Sequence, residues 1–174
     1  MDIMETKEFE GPEPFGLRIE HVLDEDPDLS FLGEYSSSWQ EGAIDREELG
    51  DMERGELRYF IPGQHVPHSP KNWSHVSAAE KAKVVKQYGS LAAADEAYAM
   101  HDYERMERYN RGDWHMMGIV VTILKGAFKE VGNASLWGIE SDSSAAYVEE
   151  VENDLMEEAG AEAGLPASTE WEEI

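Results

Sequence analysis

The stretch WHMMGIVVTILKGAF, residues 114–128, decides the fold. Met117, Ile119, Val121 and Ile123 alternate with Val120, Thr122 and Leu124, a period of two that puts apolar side chains on both faces of an extended strand. A strand buried on both sides needs neighbours, so this one belongs inside a sheet. Upstream, residues 15–23 alternate Leu17, Ile19, His21 and Leu23 with Arg18, Glu20 and Val22, the pattern of a half-buried strand. Residues 57–61 read as a second short strand closed by Pro62-Gly63. Downstream, Gly132-Asn133 reads as a hairpin turn leading into a partner strand over 134–140.

Helices fill the remainder. Ser77-Ala78-Ala79-Glu80 has the capping-box spacing, in which serine accepts the amide three residues on while glutamate reaches back; it opens a helix over 78–88. Ser90 caps the next, over 91–110, whose apolar stripe Leu91, Ala94, Tyr98, Met106 and Tyr109 is interrupted by Asp102. A carboxylate in such a stripe must be paired or half exposed. The Ser141-Asp142-Ser143 run caps a last helix over 143–159, with Tyr147, Val148, Val151 and Leu155 inward and Glu149, Glu150, Glu152, Asp154, Glu157 and Glu158 outward. Residues 44–54 allow a further short acidic helix. These readings give an α+β fold: a single domain over residues 15–160, in which a small, mainly antiparallel sheet of about four strands is covered by about three helices. Residues 1–14, acidic and bracketed by Gly11, Pro12 and Pro14, read as a flexible arm, and residues 161–174 as a loose acidic tail.

The 174 residues include 38 Asp and Glu against 14 Lys and Arg, a net charge of −24. The surplus is uneven. Residues 1–56 hold 18 acids and 4 bases, 57–139 hold 8 and 10, and 140–174 hold 12 and none. Such a field repels nucleic acid and anionic membranes and steers towards basic surfaces. An even spread would fit adaptation to high salt; the near-neutral middle does not. The chain has no cysteine, which removes disulfides, thiolate catalysis and cysteine-ligated metals. No run approaches a membrane span, and the acidic first ten residues lack the basic start and apolar stretch of a signal peptide, so a cytoplasmic protein is expected.

Few residues promise chemistry. Asp24, Asp26 and Asp28 begin like a calcium loop, but Pro27 at the fourth position, Leu29 where glycine belongs and Tyr35 at the twelfth break the pattern. His65, His68 and His75 share one loop region without an acidic residue before Glu80, and His101 and His115 are more isolated; no metal and no cofactor are expected. Asp102 and Glu140 are the best carboxylate pair for hydrolysis, yet nothing in the sequence brings them together, so no catalytic residue is assigned. Trp114 and Trp137, both beside strands, read as core. Tyr103, flanked by Glu104, Glu107 and Arg108, reads as an outward interface anchor. The six carboxylates between Glu149 and Glu158 have no base at i±3 or i±4, so the helix accepts repulsion of a few tenths of a kcal/mol per pair. Together with the Asp24, Glu25, Asp26 and Asp28 cluster and Tyr103, they are the expected partner-binding surface.

Three stretches, Asn72–Ser77 (NWSHVS), Tyr109–Trp114 (YNRGDW) and Leu136–Ser143 (LWGIESDS), resemble those in small acidic proteins of phages and mobile elements. The resemblance spans about residues 57–160. It implies a context, an accessory protein of the kind that blocks host nucleases, and assigns no residue a role. The leading expectation is therefore a non-enzymatic inhibitor whose acidic, nucleic-acid-mimicking surface occupies a basic groove of a host protein such as a CRISPR nuclease complex, without binding nucleic acid itself. The alternatives are an assembly or host-takeover binding module with aromatic contacts and, third, an enzyme of unrecognised type.

Overall fold

In the computed structural model, which describes residues 2–64, 66–67, 69 and 71–174, the expected central strand is β6. In chain order the elements are β1 (Ile3–Glu10), β2 (Phe15–Leu23), β3 (Gly33–Ser36), β4 (Ile44–Asp45), α1 (Arg46–Leu49), β5 (Tyr59–Pro62), α2 (Ala78–Tyr88), α3 (Leu91–Asn110), β6 (Met116–Lys125), β7 (Lys129–Glu140), α4 (Ala145–Glu162) and β8 (Glu172–Glu173). The fold is α+β and its paired strands run antiparallel. It divides into two compact units, one of residues 1–27 with 114–174 and one of Asp28–Asp113. No helix among the described residues is long and apolar enough to cross a membrane.

The first unit is a five-stranded sheet in the order β7-β6-β2-β1-β8, with α4 packed on β6 and β7. Its core joins the alternating set Leu17, Ile19, Met117, Ile119, Val121 and Ile123 to Val151, Leu155 and Ala159 of the helix. The expected arm is instead β1, paired with β2 from Ile3 opposite Val22 to Glu10 opposite Gly16. Nor is the tail loose. Helix α4 runs on to Glu162, Leu165 packs against the core, and Glu172 and Glu173 pair with Glu10 and Phe9. Charged residues fill both faces of β1 because only Lys7 and Phe9 on it are even half-buried, which hides its period of two.

The β6–β7 turn lies at residues 126–128, with Lys125 opposite Lys129, and Gly132-Asn133 sits inside β7. Glycine there serves a close approach: a Cβ on Gly132 would stand 2.1 Å from the Ala159 carbonyl oxygen of α4. Asn133 Nδ2 donates to Thr122 Oγ1 across the ladder at 3.1 Å. Two residues, Trp137 and Gly138, oppose the single Gly118, a β-bulge that needs Gly138 at φ +80°. Trp114 is core as expected, 1% exposed; Trp137, 44% exposed, lies over Gly118.

The second unit holds a separate three-stranded sheet, β3-β5-β4, so residues 57–61 do not extend the first sheet. Its centre is Phe60, fully buried, with the rings of Tyr35 and Tyr103 each 5.4 Å from it. Helices α2 and α3 occupy the expected spans, and the Ser77–Glu80 capping box forms. The buried stripe of α3 is Ala94, Asp95, Ala99, Tyr103 and Met106, about one residue round the helix from the one read in the sequence. That rotation overturns the expectation for Tyr103. It is 1% exposed, its hydroxyl donates to Asp51 Oδ2 at 3.2 Å, and it anchors the core instead of a surface. Asp102 is half-buried and partnered.

Candidate functional site

Helix α4 starts at Ser144, whose hydroxyl accepts the Tyr147 amide, and its register then follows from which side chains can enter the apolar core. Val151, Leu155 and Ala159 do. The side away from that core leaves Glu149, Glu150, Asp154, Glu157 and Glu158 exposed. No basic residue lies anywhere on the helix, and Glu162 reaches back to accept the Asn133 amide at 2.6 Å. Glu162 stands in the last turn, where the macrodipole disfavours negative charge.

Glu152 departs from the expected outward row. It is 7% exposed, one turn from both Val148 and Leu155, and it points onto the sheet. There Lys7 Nζ donates to both its oxygens, at 2.7 and 2.9 Å. His21 Nε2 meets Oε1 at 2.6 Å, and His21 Nδ1 lies 3.3 Å from Glu5 Oε2. Both imidazole nitrogens thus face carboxylates. Burial by itself lowers the pKa of Lys7, but the hydrogen bond and charge of Glu152, with Glu5 and Glu173, outweigh it and hold the ammonium above its ordinary value.

This cluster forms the polar floor of a groove of about 770 Å³ between β1, β2 and α4. Its apolar walls include Phe9, Met117, Val148, Met156 and Trp171, and its rim carries Glu5, Glu149 and Glu173. His115 lines one end. Its amide donates to Ser141 Oγ at 3.0 Å, while its Nε2 is buried with no hydrogen-bond partner among the described residues. Of the groove residues, Glu149 and Glu152 stood among the expected partner-binding carboxylates, read as outward-facing, and the groove itself was not anticipated. The signal was present in two places: His21 continues the inward set Leu17 and Ile19, and Glu152 falls at helical spacing between Val148 and Leu155.

The remaining candidates scatter. In the 24–28 cluster, Glu25, Asp26 and Asp28 are exposed and Asp24 is half-buried. Asp24 Oδ1 accepts the Asp26 amide and Asp28 Oδ1 the Ser30 amide, at 3.3 and 2.9 Å, local turn bonds that need no ion. The hydrogen bonds from Ser30 hold the Asp28 carboxyl below its ordinary pKa. His65 and His68 lie outside the described residues, and His75 and His101 are exposed. Asp102 and Glu140 belong to different units. Among the described residues no group of three or more histidines and carboxylates is arranged to hold a metal ion.

In the second unit, Arg46 is 4% exposed and spends its donors on the Leu57 carbonyl, Glu56 and Glu107, at 2.9, 3.0 and 3.2 Å. Its guanidinium lies 4.7 Å over the Tyr35 ring. Every strong contact of this buried arginine is internal, so it ties β4 and α1 to α3. Asp95, equally buried, accepts the Trp73 indole N–H at 2.9 Å. Open features of the first unit thus include the acidic face of α4 and the groove beside it. Set against known proteins, the chain matches no family model, no curated protein and no solved structure.

Proposed function

We propose that the protein is a non-enzymatic inhibitor that offers the outer face of α4, as a nucleic-acid mimic, to a basic groove of a host nucleic-acid-acting protein such as a CRISPR nuclease complex. One observation carries the reading. Glu149, Glu150, Asp154, Glu157 and Glu158 are exposed over nine helical steps, about 14 Å at 1.5 Å per residue. Averaged over the four intervals, that is one negative charge per about 3.4 Å of helix axis, as along one strand of duplex DNA. A row of Lys and Arg shaped for a phosphate strand would meet the same linear charge density here. Tyr103 and Glu152, both buried, take no part in this surface.

The test is reversal of the exposed i, i+4 row, Glu150→Lys, Asp154→Lys and Glu158→Lys. A partner recovered from bacterial lysate at low salt should bind the unmodified protein, lose it steeply as salt rises, and release it to competing DNA or RNA. The triple variant should lose at least a hundredfold in affinity. Unchanged affinity removes α4 as the contact. The binding-module alternative rests on Phe128, 91% exposed at the β6–β7 turn and flanked by Lys125 and Lys129, the only bases in residues 114–174. Salt-insensitive binding abolished by Phe128→Ser would favour it.

A further inference from the structure

Two features outside α4 fit one another. The first is the tip of the β6–β7 hairpin, residues 125–130 (KGAFKE), exposed throughout. Its Phe128 is 91% exposed. Lys125 and Lys129 stand directly opposite each other at the base of the turn, and like charges so placed are destabilising. The lysine pair opposes the fold, and the ring is left to water. The second feature is a recess of about 460 Å³ in the Asp28–Asp113 unit. Its walls are Trp39, Leu49 of α1, and Ala99 and Met100 from one turn of α3; Trp39 is 65% and Leu49 44% exposed. Among the described residues its charged lining is wholly acidic. Asp45 is held by Arg58 at 2.8 Å and Glu96 is partnered, while Glu41 and Glu48 stand exposed.

An aromatic ring carried between two lysines and an apolar recess edged by carboxylates are complementary in both hydrophobicity and charge. We infer that a second copy of this chain is the occupant: the hairpin tip of one chain docks into the recess of another, Phe128 against Trp39 and Leu49, with Lys125 and Lys129 towards Glu41 and Glu48. The ring displaces water from an open indole, a pairing that aromatic groups favour beyond the area they bury. Tip and recess are different surfaces, so the contact is heterologous. Against it stands the net charge of −24 on each copy, a long-range repulsion that salt screens more completely than the short ion pairs of the contact. Self-association therefore rises with salt, the reverse of binding through the α4 row.

Sedimentation of the full chain from about 10 μM to about 1 mM, in about 0.02 M and about 0.3 M salt, tests this. Apparent mass should rise with concentration, with an association constant at least about threefold larger in the higher salt. Phe128→Ser and Trp39→Ser, both at exposed positions and so compatible with the fold, should each weaken self-association by about tenfold or more. An equimolar mixture of the two variants should associate again and stop at a pair, since the Trp39→Ser copy keeps the tip and the Phe128→Ser copy keeps the recess. A chain monomeric at every concentration and salt, a Trp39→Ser variant that associates like the unmodified protein, or a mixture that stays monomeric each overturns the inference. So does a monomer whose pulled-down partner is lost on Phe128→Ser, which gives the tip to that partner. All of these outcomes leave the α4 row standing, and the α4 triple reversal in turn leaves tip and recess intact.

Discussion

Glu152 is the residue on which local pattern and tertiary packing disagree. It stands in a run of acids that reads as solvated, yet it falls on the inward stripe and is matched there by Lys7 and His21, 145 and 131 residues away in sequence. Such long-range pairing is invisible to a helix-by-helix reading. Removing one member of a buried ionic cluster strands the others, so Glu152→Ala should cost about 3 kcal/mol in denaturant unfolding. Lys7→Met combined with it should cost less than the two separate losses added together, the signature of direct coupling. Charge reversal at Glu152 belongs to stability experiments and spoils a binding test. The pH dependence follows from four raised groups with ordinary values near 10. Lys7 is raised as described; Tyr35 by burial and then by its hydrogen bond to Glu107; Tyr98 by burial, with Tyr88 and Asp95 adding to it; Tyr103 by burial, with Glu107 and Asp51 adding to it against Arg46. Each holds its proton more tightly when folded, so its contribution is full below the unfolded pKa near 10 and is lost as pH rises through the folded value. Unfolding midpoints should therefore fall between pH 9 and pH 11, and Lys7→Met should reduce that fall.

At the scale of elements, the sequence was most legible where one physical cause acts alone. The alternation of β6, the capping box of α2 and the serine at the start of α3 each specify their element locally, and the observed spans of α2 and α3 match the expected ones. Misreadings arose where a residue type has two uses. Gly132-Asn133 has turn chemistry but answers to the Ala159 carbonyl above it. On that account Gly132→Val should lower stability by about 3 kcal/mol through overpacking, whereas a mere turn position would tolerate the change better. Strand β1 was missed because its outer edge meets only the two residues of β8 and its inner face meets a groove, so no apolar alternation was required. Deleting residues 1–10 should nonetheless cost far more than the ±0.5 kcal/mol of a surface change, seen as a drop of many degrees in melting temperature, since it removes a seven-position ladder together with Lys7. A melting temperature unchanged by the deletion would mean that β1 adds nothing to the sheet.

For the molecule as a whole, charge and architecture coincide. The unit of residues 1–27 and 114–174 carries 22 acids and 4 bases, and the Asp28–Asp113 unit 16 and 10; three quarters of the net charge of −24 therefore lies with α4 and its sheet. The two acidic ends of the sequence, separate in the chain, are gathered into one unit by the β1–β2–β6 pairing. That placement is unfavourable for stability. Neighbouring carboxylates on α4 repel by a few tenths of a kcal/mol per pair, and Glu162 in its last turn opposes the macrodipole by about 0.3–1 kcal/mol. Reversing Glu150, Asp154 and Glu158 relieves the repulsion, and each reversal makes the protein two charge units less negative. The triple variant should consequently be more stable than the unmodified protein, by about 1 kcal/mol at low salt and by less as screening removes the repulsion it cures. Raising salt should in turn stabilise the unmodified protein more than the variant. A variant that melts higher and no longer binds its partner is the behaviour of a surface shaped by recognition at the expense of stability. If the reversal destabilises instead, these carboxylates serve the fold, and the polyanion reading of α4 falls with them.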